Sequence, residues 1–438
     1  MKATKSFYFP LLISSIILSF AFFLFVLFTG EGVGLVGTDI SLAAFLFSLV
    51  YFFLTLYFIK GNEEKLFLVL FIWAVSAALI YMRVAMLSHA SRDYNVFFSD
   101  WLARMRELKG VAPLVEKIGD YNMPYLYFLF IISKFKLNDL ILIKWFSSIF
   151  DVLAAIFMMK IVSLKTKNVV PNLLAFVLTL GLPTVLLNSG YWGQCDSIPA
   201  ALGIGACYLL LKDKHITALV LYSLAFSFKL QAIFLLPAII VLLIVKKVHP
   251  IKLLVFPAVF LGVLVPALVC GRSFIDCVRI YFDQAGQYPE MSLNSPSFWQ
   301  IFENAPIENF NMVAVMMTGI AFISLIAICI KFKDRLDLSA LVELCYLSAV
   351  IIPFLLPRMH DRYFFIADIL SLAVFLYNKE KWYIPVITVL ASLNCYSYYL
   401  FGGTLIMPYS YATIALGIAI MLLSTNFVKR LNNKKSEV

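Results

Sequence analysis

Runs of apolar residues close to the length of a membrane span recur along almost the whole 438-residue chain. The first run, 7–28, follows Lys2 and Lys5 and has no convincing small-residue cleavage site, so we expect a retained span. Further runs lie at about 41–59, 66–88, 137–161, 171–189, 198–212, 216–230, 231–245, 251–270, 309–331, 338–357, 363–377, 383–401 and 409–427. Together these runs predict an all-α bundle of about fourteen transmembrane helices (12–14), because about twenty apolar residues cross the hydrocarbon layer.

The composition supports this interpretation and excludes an ordinary soluble domain. Hydrophobic residue types make up 62% of the chain and charged types only 14%, whereas soluble domains are about half apolar and a quarter charged. No Gly/Ser-rich linker, low-complexity tract or soluble module interrupts the pattern. We therefore expect residues 1–438 to form a single transmembrane domain of a multi-pass membrane protein.

The net charge of +10 arises from short basic segments between the apolar runs and from a basic C-terminal tail. With the predicted spans, these segments all fall on one side of the membrane, which the positive-inside rule makes cytoplasmic. The agreement requires that 122–135, which contains Pro124, does not cross; we expect a helix in the outer interface there. The positive-inside rule thus accounts for the charge, membrane lipids are the expected surroundings, and no nucleic-acid partner is indicated.

The opposite, outer side receives two long polar loops, 89–136 and 271–308, and several short turns. Polar residues that a membrane protein rarely keeps without a reason are concentrated there: Asp93, Trp192, Gln194, Asp196, Lys229, Gln231, Arg358, His360, Asp361 and Arg362. Such groups cost several kcal/mol each near hydrocarbon unless they pair or line a wet cavity. A shared outer cavity is the simplest explanation.

This group of residues mixes acidic and basic side chains. Lys229, Arg358 and Arg362 can hold a phosphate group, and Asp93 and Asp196 can accept a proton or bind sugar hydroxyls. Aromatic residues with flat faces of the kind that stack on sugar rings accompany them: Tyr94, Trp101, Tyr121, Tyr125 and Trp192. Each residue alone has an ordinary structural interpretation as a helix cap, a snorkelling lysine or a belt aromatic. Their convergence from distant segments favours a site.

Three carboxylates, Asp151, Glu343 and Asp368, fall within predicted spans and are left outside the site. Lys144 lies two turns from Asp151, so either this pair or a link to a neighbouring helix would satisfy the carboxylate. Seven cysteines show no CxxC spacing, and Cys270 and Cys277 could pair outside the membrane. The four histidines argue against a His-rich metal site.

Three motifs resemble the GT-C superfamily of membrane glycosyltransferases: YWGQCDS at 191–197, FKLQAIFLLP at 228–237 and PRMHDRYFF at 357–365. The similarity is greatest to bacterial relatives of the second mannosyltransferase of GPI-anchor assembly. The first outer loop, with RDYNVFFSDWLARMRELKG followed by YNMPYLYFL, also resembles that group. Asp361 stands where the family usually has Glu, and the stretch 121–125 carries one proline, in Asn-Met-Pro-Tyr, where relatives carry two. The sub-family, and with it the sugar, stays open.

The resemblance implies transfer of a monosaccharide from a polyprenyl-phosphate carrier to a glycan or lipid-linked acceptor, with inversion, on the non-cytoplasmic face. It assigns Asp93 as the general base and His360, Arg362 and Lys229 as groups that stabilise the departing phosphate. It implies no metal or other cofactor, since the lipid-linked sugar is itself the substrate. In a bacterium, the location would be the plasma membrane and the product a surface glycan or a decorated cell-wall polysaccharide.

Two other functions fit the helix count. A transporter or flippase of lipid-linked sugars would also place charges in a cavity, although transporters bind near the membrane midplane between structural repeats. A polysaccharide polymerase or ligase would also use lipid-linked substrates at the outer face.

Overall fold

A computed structural model describes residues 66–286, 288–302 and 306–433. The predicted spans 7–28 and 41–59 therefore lie outside the described residues. The described chain is helical almost throughout, with two two-residue strands, β1 (Ser292–Leu293) and β2 (Met359–His360). The all-α prediction is thus confirmed.

Seventeen α-helices occur in the described residues. They are α1 Leu66–Ala85, α2 Ser99–Glu107, α3 Ala112–Val115, α4 Met123–Ser133, α5 Asp139–Lys165, α6 Val169–Gly181, α7 Pro183–Val185, α8 Ser197–Leu211, α9 His215–Phe228, α10 Leu236–Val245, α11 Val255–Val269, α12 Phe274–Gly286, α13 Ile307–Lys331, α14 Leu338–Leu355, α15 Phe365–Tyr377, α16 Tyr383–Leu400 and α17 Tyr409–Asn433. Tyr94–Phe98 and Leu186–Trp192 form π-helical turns, and 3₁₀ turns cover Leu230–Leu235, Pro250–Leu254, Phe298–Phe302, Lys333–Arg335 and Lys379–Lys381.

Five of the described helical segments are long and apolar enough to cross a membrane. They are Asp139–Lys165, Pro250–Val269, Ile307–Lys331, Leu338–Leu355 and Tyr409–Asn433. The pair Val169–Gly181 and Pro183–Trp192, bent by 48°, would make a sixth. The count falls short of the predicted fourteen partly because apolar runs such as 198–212 and 363–377 form helices of 15 and 13 residues. At about 1.5 Å per residue, these helices are shorter than the hydrocarbon layer.

Two helices on the outside of the bundle carry apolar surface that no other part of the described chain covers. The hydrophobic windows of Pro250–Val269 and Ile307–Lys331 are only 11% and 22% buried, although their mean hydropathies are 2.3 and 2.6. Val269 and Met312 expose 81% and 72% of their surface. Apolar faces of this extent suit lipid rather than water, in agreement with an integral membrane protein.

The centre of the bundle is closely packed around α8. A Cβ atom at Gly205 would approach the ring of Phe157 on α5 to 2.5 Å, and one at Gly203 would approach Leu235 to 2.6 Å. Glycine at these two positions therefore lets side chains of neighbouring segments pack directly against the backbone of α8, as is usual for helices packed in membranes. Helix α14 completes this core, with 72% of its hydrophobic window buried.

The basic segments lie together at one end of the bundle. Lys165 donates to the carbonyl of Tyr377, and Lys246 pairs with Asp213 at 3.2 Å. Glu343 binds both Lys381 and Arg430 at 2.7 Å. These contacts join the ends of α5, α15 and α17 and the start of α14.

At the other end, the two long loops are held against each other. Lys117 pairs with Asp283 at 3.1 Å, and Arg272 donates to the carbonyl of Glu116 at 3.3 Å. The segment 122–135 forms α4, whose 11 residues are too few for a span, as predicted. Strand β1 of the second loop pairs in parallel with β2, which connects that loop to the turn between α14 and α15.

Candidate active site

A cavity of about 460 Å³ opens at the end of the bundle that carries the long loops. Residues from both loops, from the ends of α9, α14 and α16 and from the start of α13 line it. The structure brings nine of the thirteen predicted site residues to its wall: Asp93, Trp101, Tyr121, Gln194, Lys229, Gln231, Arg358, His360 and Arg362. The other four, Tyr94, Tyr125, Trp192 and Asp196, are not among the lining residues.

Asp93 immediately precedes the π-helical turn Tyr94–Phe98 and presents its carboxylate to the cavity. Its Oδ2 accepts hydrogen bonds from Trp192 Nε1 at 2.9 Å and from Gln194 Nε2 at 2.5 Å. Its Oδ1 accepts one from the hydroxyl of Tyr399. A carboxylate has about four acceptor positions, so three donors fix the orientation of Asp93 and leave one position on Oδ1.

The local fold of YWGQCDS explains how two donors reach the same oxygen. Gly193 ends the π-helical turn Leu186–Trp192 with a left-handed φ of 80°, and the amide of Gln194 returns to the carbonyl of Asn188 at 2.8 Å. A Cβ atom at Gly193 would meet Lys144 at 3.5 Å in addition to the strained backbone. The reversal at glycine therefore places the side chains before and after it on one carboxylate.

Trp192 is buried next to Asp93 and does not line the cavity. Its indole is almost fully buried and stacks on the ring of Tyr399, with 4.4 Å between the ring centres. The guanidinium of Arg362 lies 5.4 Å from the indole centre, within range of a cation–π contact. The structure therefore places Trp192 in contact with Asp93 and not among the residues that line the cavity.

Asp196 is also buried, and it joins the cations of the site. Its carboxylate pairs with Lys229 Nζ at 2.5 Å and with Arg362 Nε at 3.3 Å, and it accepts from Asn188 Nδ2 at 2.9 Å. Burial by itself raises the pKa of Asp196, but the charges of Lys229 and Arg362 outweigh it and the net pKa is lowered. Asp196 therefore stays ionised and holds two cations at the cavity wall.

Arg362 completes this charge network. Burial alone lowers its pKa, but the carboxylates of Asp196, Asp361 and Asp93 raise the pKa well above its usual value. The guanidinium thus keeps its positive charge, and the surrounding carboxylates compensate much of it. Neither Lys229 nor Arg362 offers its full charge to a ligand.

The turn between α14 and α15 presents Arg358 and His360. Arg358 has a left-handed φ of 60°, donates its amide to the carbonyl of Met291 at 2.8 Å and donates Nε to the carbonyl of Tyr288 at 2.9 Å. His360 Nδ1 lies 3.2 Å from Asp361 Oδ1, and its Nε2 has no hydrogen-bond partner in the described chain. The imidazole therefore keeps one nitrogen for a ligand of the cavity.

Several lining residues were not predicted, chiefly Tyr399, Tyr288, Asp120 and Gln284. Tyr399 lies one residue before the end of α16, in the polar and aromatic stretch 394–399, and that pattern was the available signal. The other three lie in the two long loops, where nothing in the sequence distinguishes them from exposed loop residues.

The carboxylates left outside the site all have partners elsewhere. Asp151 pairs with Arg83 at 3.2 Å and accepts from Ser189, whereas Lys144 donates to the carbonyl of Met86 at 2.7 Å. Of the two predicted possibilities for Asp151, the link to a neighbouring helix is the one found. Asp368 accepts from Ser392 at 2.8 Å, and Glu343 has the two partners named above.

The cysteines and the metal-ligating residue types show no special grouping in the described ranges. Cys270 and Cys277 are both free thiols. Within residues 66–286, 288–302 and 306–433, no three His, Cys, Asp or Glu side chains form a group that could hold a metal ion. Comparison with protein-family models gives no match for this chain, and comparison with curated proteins gives none either.

Proposed function

We propose that this protein is a membrane glycosyltransferase of the GT-C type. It would move a monosaccharide from a polyprenyl-phosphate carrier to a glycan or lipid-linked acceptor, with inversion at the anomeric carbon. The observation that carries the proposal is that Asp93, oriented by three donors, shares one cavity with Lys229, Arg358, His360 and Arg362. A base and a cationic wall in one pocket are what this reaction requires.

The base acts first on the acceptor. The remaining acceptor position on Oδ1 of Asp93 takes the proton of the attacking hydroxyl, whose oxygen forms the new bond to the anomeric carbon. The bond between that carbon and the carrier phosphate oxygen breaks on the opposite side, so the configuration inverts. The bonding pair leaves with the lipid phosphate.

The negative charge that develops on the phosphate needs fixed positive groups. Arg358 and His360 lie on the same turn and line the cavity, and Arg358 carries a planar guanidinium suited to phosphate oxygens. Lys229 and Arg362 add charge that Asp196 partly offsets. A wall of moderate positive charge can bind the donor and still release the product phosphate.

The charge distribution along the bundle suggests the side of the reaction. The basic helix ends at Lys212–Lys214, Lys246–Lys252 and Lys331–Arg335 lie opposite the cavity, and such segments normally face the cytoplasm. The cavity would then open on the non-cytoplasmic face. In a bacterium, this would be the outer side of the plasma membrane.

A transfer assay tests the proposal. The purified protein in lipid nanodiscs is given a panel of polyprenyl-phosphate monosaccharides with glycan and lipid-linked acceptors, and the product anomer is determined by NMR. We expect an inverted product from the natural sequence and a loss of about 10²–10⁴-fold in Asp93→Asn, the usual contribution of a general base.

Asp100→Asn is the matched control, because Asp100 is an exposed carboxylate seven residues further along the same loop. Full activity of Asp93→Asn would remove the proposed base. Consumption of an oligosaccharide diphosphate instead of a monosaccharide monophosphate would identify a polymerase. Movement of the lipid-linked sugar across the bilayer without any transfer would identify a flippase.

A further inference from the structure

Trp101 differs from the other aromatic residues predicted to stack on sugar rings. Only Trp101 and Tyr121 of that set line the cavity. The ring of Tyr121 already carries Lys229 Nζ at 5.6 Å and packs against Tyr125, with 4.6 Å between ring centres. Trp101 is therefore the aromatic residue of the set best placed to receive a ligand.

The backbone of Gly119 covers one face of the Trp101 indole. A Cβ atom at Gly119 would lie 2.8 Å from Cδ2 and 2.9 Å from Cε3 of the ring. Cδ2 is a ring-fusion carbon with no free edge, so this approach comes from the face of the indole. Gly119 has a φ of 72° and no side chain, and the loop can follow the ring closely only for that reason.

Other aromatic rings also pack against the indole. Phe98 and Tyr121 lie nearly perpendicular to Trp101, with ring-centre distances of 5.4 and 5.9 Å. Phe97 lies tilted at 5.9 Å and lines the cavity with Trp101. The indole is thus packed against Gly119 and three aromatic rings, and it forms a firmly held part of the cavity wall.

Polar groups of the cavity wall accompany this platform. Asp120 follows Gly119 directly, and Gln284 of the second loop donates its amide nitrogen to the carbonyl of Asp120 at 2.6 Å and to Asn122 Oδ1 at 3.0 Å. The carbonyl oxygen of the Gln284 side chain is the part of the amide that these bonds do not use. Both Asp120 and Gln284 line the cavity.

We infer that this platform is the acceptor subsite and that the acceptor group bound there is a pyranose ring. One face of such a ring presents C–H bonds of partial positive character, which match the negative face of an indole. Its hydroxyls lie around the edge, where Asp120 and Gln284 can accept from them. Asp93 lies eight residues before Trp101 along the same helical segment, and it would take the proton of the attacking hydroxyl. The inference rests on the proposed function and narrows its acceptor to a sugar.

Saturation-transfer NMR on the full-length protein in nanodiscs tests this assignment, because the method detects weak binding and needs no donor or turnover. The probes are the methyl glycosides of glucose, galactose, mannose and N-acetylglucosamine, with sorbitol as a polyol that has hydroxyls but no ring. We expect saturation of the protons on one ring face for at least one glycoside and none for sorbitol.

Trp101→Leu should reduce that signal about three- to tenfold, the size expected from one lost aromatic contact. Trp382→Leu is the matched control, because Trp382 is 60% exposed and lies near Lys381 at the opposite end of the bundle. Asp120→Asn, a change at an exposed position, provides a second variant in case Trp101→Leu unfolds. We expect it to weaken binding while the melting temperature stays unchanged.

The inference is overturned if no glycoside shows saturation, if sorbitol gives the same signal, or if Trp101→Leu and Asp120→Asn bind as well as the natural sequence. These results differ from failure of the proposed function. If the protein transfers sugar but Trp101→Leu binds glycosides as well as the natural sequence, the subsite alone is refuted. A protein that binds pyranosides through Trp101 but transfers nothing refutes the transferase alone.

Discussion

The hydroxyl of Tyr399 donates a hydrogen bond to Oδ1 of Asp93 across a separation of 306 residues. The same ring stacks on Trp192, which donates to the other carboxylate oxygen at 2.9 Å. Asp93, which lies in the first outer loop, is thereby held by Trp192 and Gln194 around the end of the bent helix pair and by Tyr399 near the end of α16. Its orientation depends on the assembled bundle.

Tyr399→Phe should lower the turnover of the proposed transfer about 10- to 100-fold with little change in KM. The ring keeps its stacking on Trp192, and only a charge-assisted hydrogen bond of about 1.5–3 kcal/mol is lost. Steady-state kinetics with the donor identified by the panel provides the measurement. Tyr398→Phe is the control on the neighbouring, 38% exposed ring. Equal turnover in all three proteins would show that Tyr399 does not position the base.

Asp196→Asn should destabilise the protein by about 3–5 kcal/mol, because it leaves Lys229 and Arg362 without their buried counter-charge. Thermal unfolding in nanodiscs measures the effect. Asp213→Asn is the control, since Asp213 pairs with Lys246 at a surface where it is 64% exposed and such pairs contribute little. The double variant Asp196→Asn, Lys229→Met should recover part of the loss, and a loss no larger than that of Asp213→Asn would contradict the buried network.

The same residue predicts a dependence on acid. The pKa of Asp196 is lower in the folded protein than the usual value of about 3.9. Its contribution to stability is therefore complete above that value and is lost as the pH falls towards the lowered pKa. Unfolding midpoints measured between neutral and acidic pH should fall less steeply for Asp196→Asn than for the natural sequence. Parallel curves would assign the acid sensitivity to other carboxylates.

Gly193→Ala should cost about 1–2 kcal/mol of stability because a left-handed φ is unfavourable with a side chain. It should also reduce transfer strongly, since Trp192 and Gln194 both reach Asp93 through this reversal. Gly262→Ala on α11 is the control, because a Cβ atom there meets nothing within 4 Å. If the two variants have the same stability and the same transfer activity, the backbone conformation at Gly193 has no special role.

The orientation of the bundle is tested by labelling single cysteines in a cysteine-free background in intact cells. We expect a membrane-impermeant maleimide to label Asp283→Cys beside the cavity and to leave Lys333→Cys unlabelled until the cells are opened. The reason is that the basic helix ends should face the cytoplasm. Labelling of both positions before opening would contradict this topology.

The apolar runs predicted where most of the described helices lie, because burial in lipid requires helical backbone whatever the details of packing. They did not predict helix lengths, as at α15 and α8, since breaks depend on local turns and polar contacts. The unusual charged residues Asp93, Lys229 and those at 358–362 predicted a shared cavity, because charged groups near hydrocarbon must pair or contact water. The structure has a cavity at these residues. Which of them line the cavity and which pair behind it, as Asp196 does with Lys229, is set by the tertiary fold and could not be predicted from the sequence.

The parallel pairing of β1 with β2 limits where the second outer loop can change in length. Ser292 lies opposite Met359 and Leu293 opposite His360, while Arg358 is tied to Met291 and Tyr288. The segment from Tyr288 to Leu293 therefore sets the positions of the basic residues Arg358 and His360, although it belongs to a separate loop. An insertion there would shift the register and withdraw Arg358 and His360 together, so we expect length changes of this loop to accumulate outside that short segment.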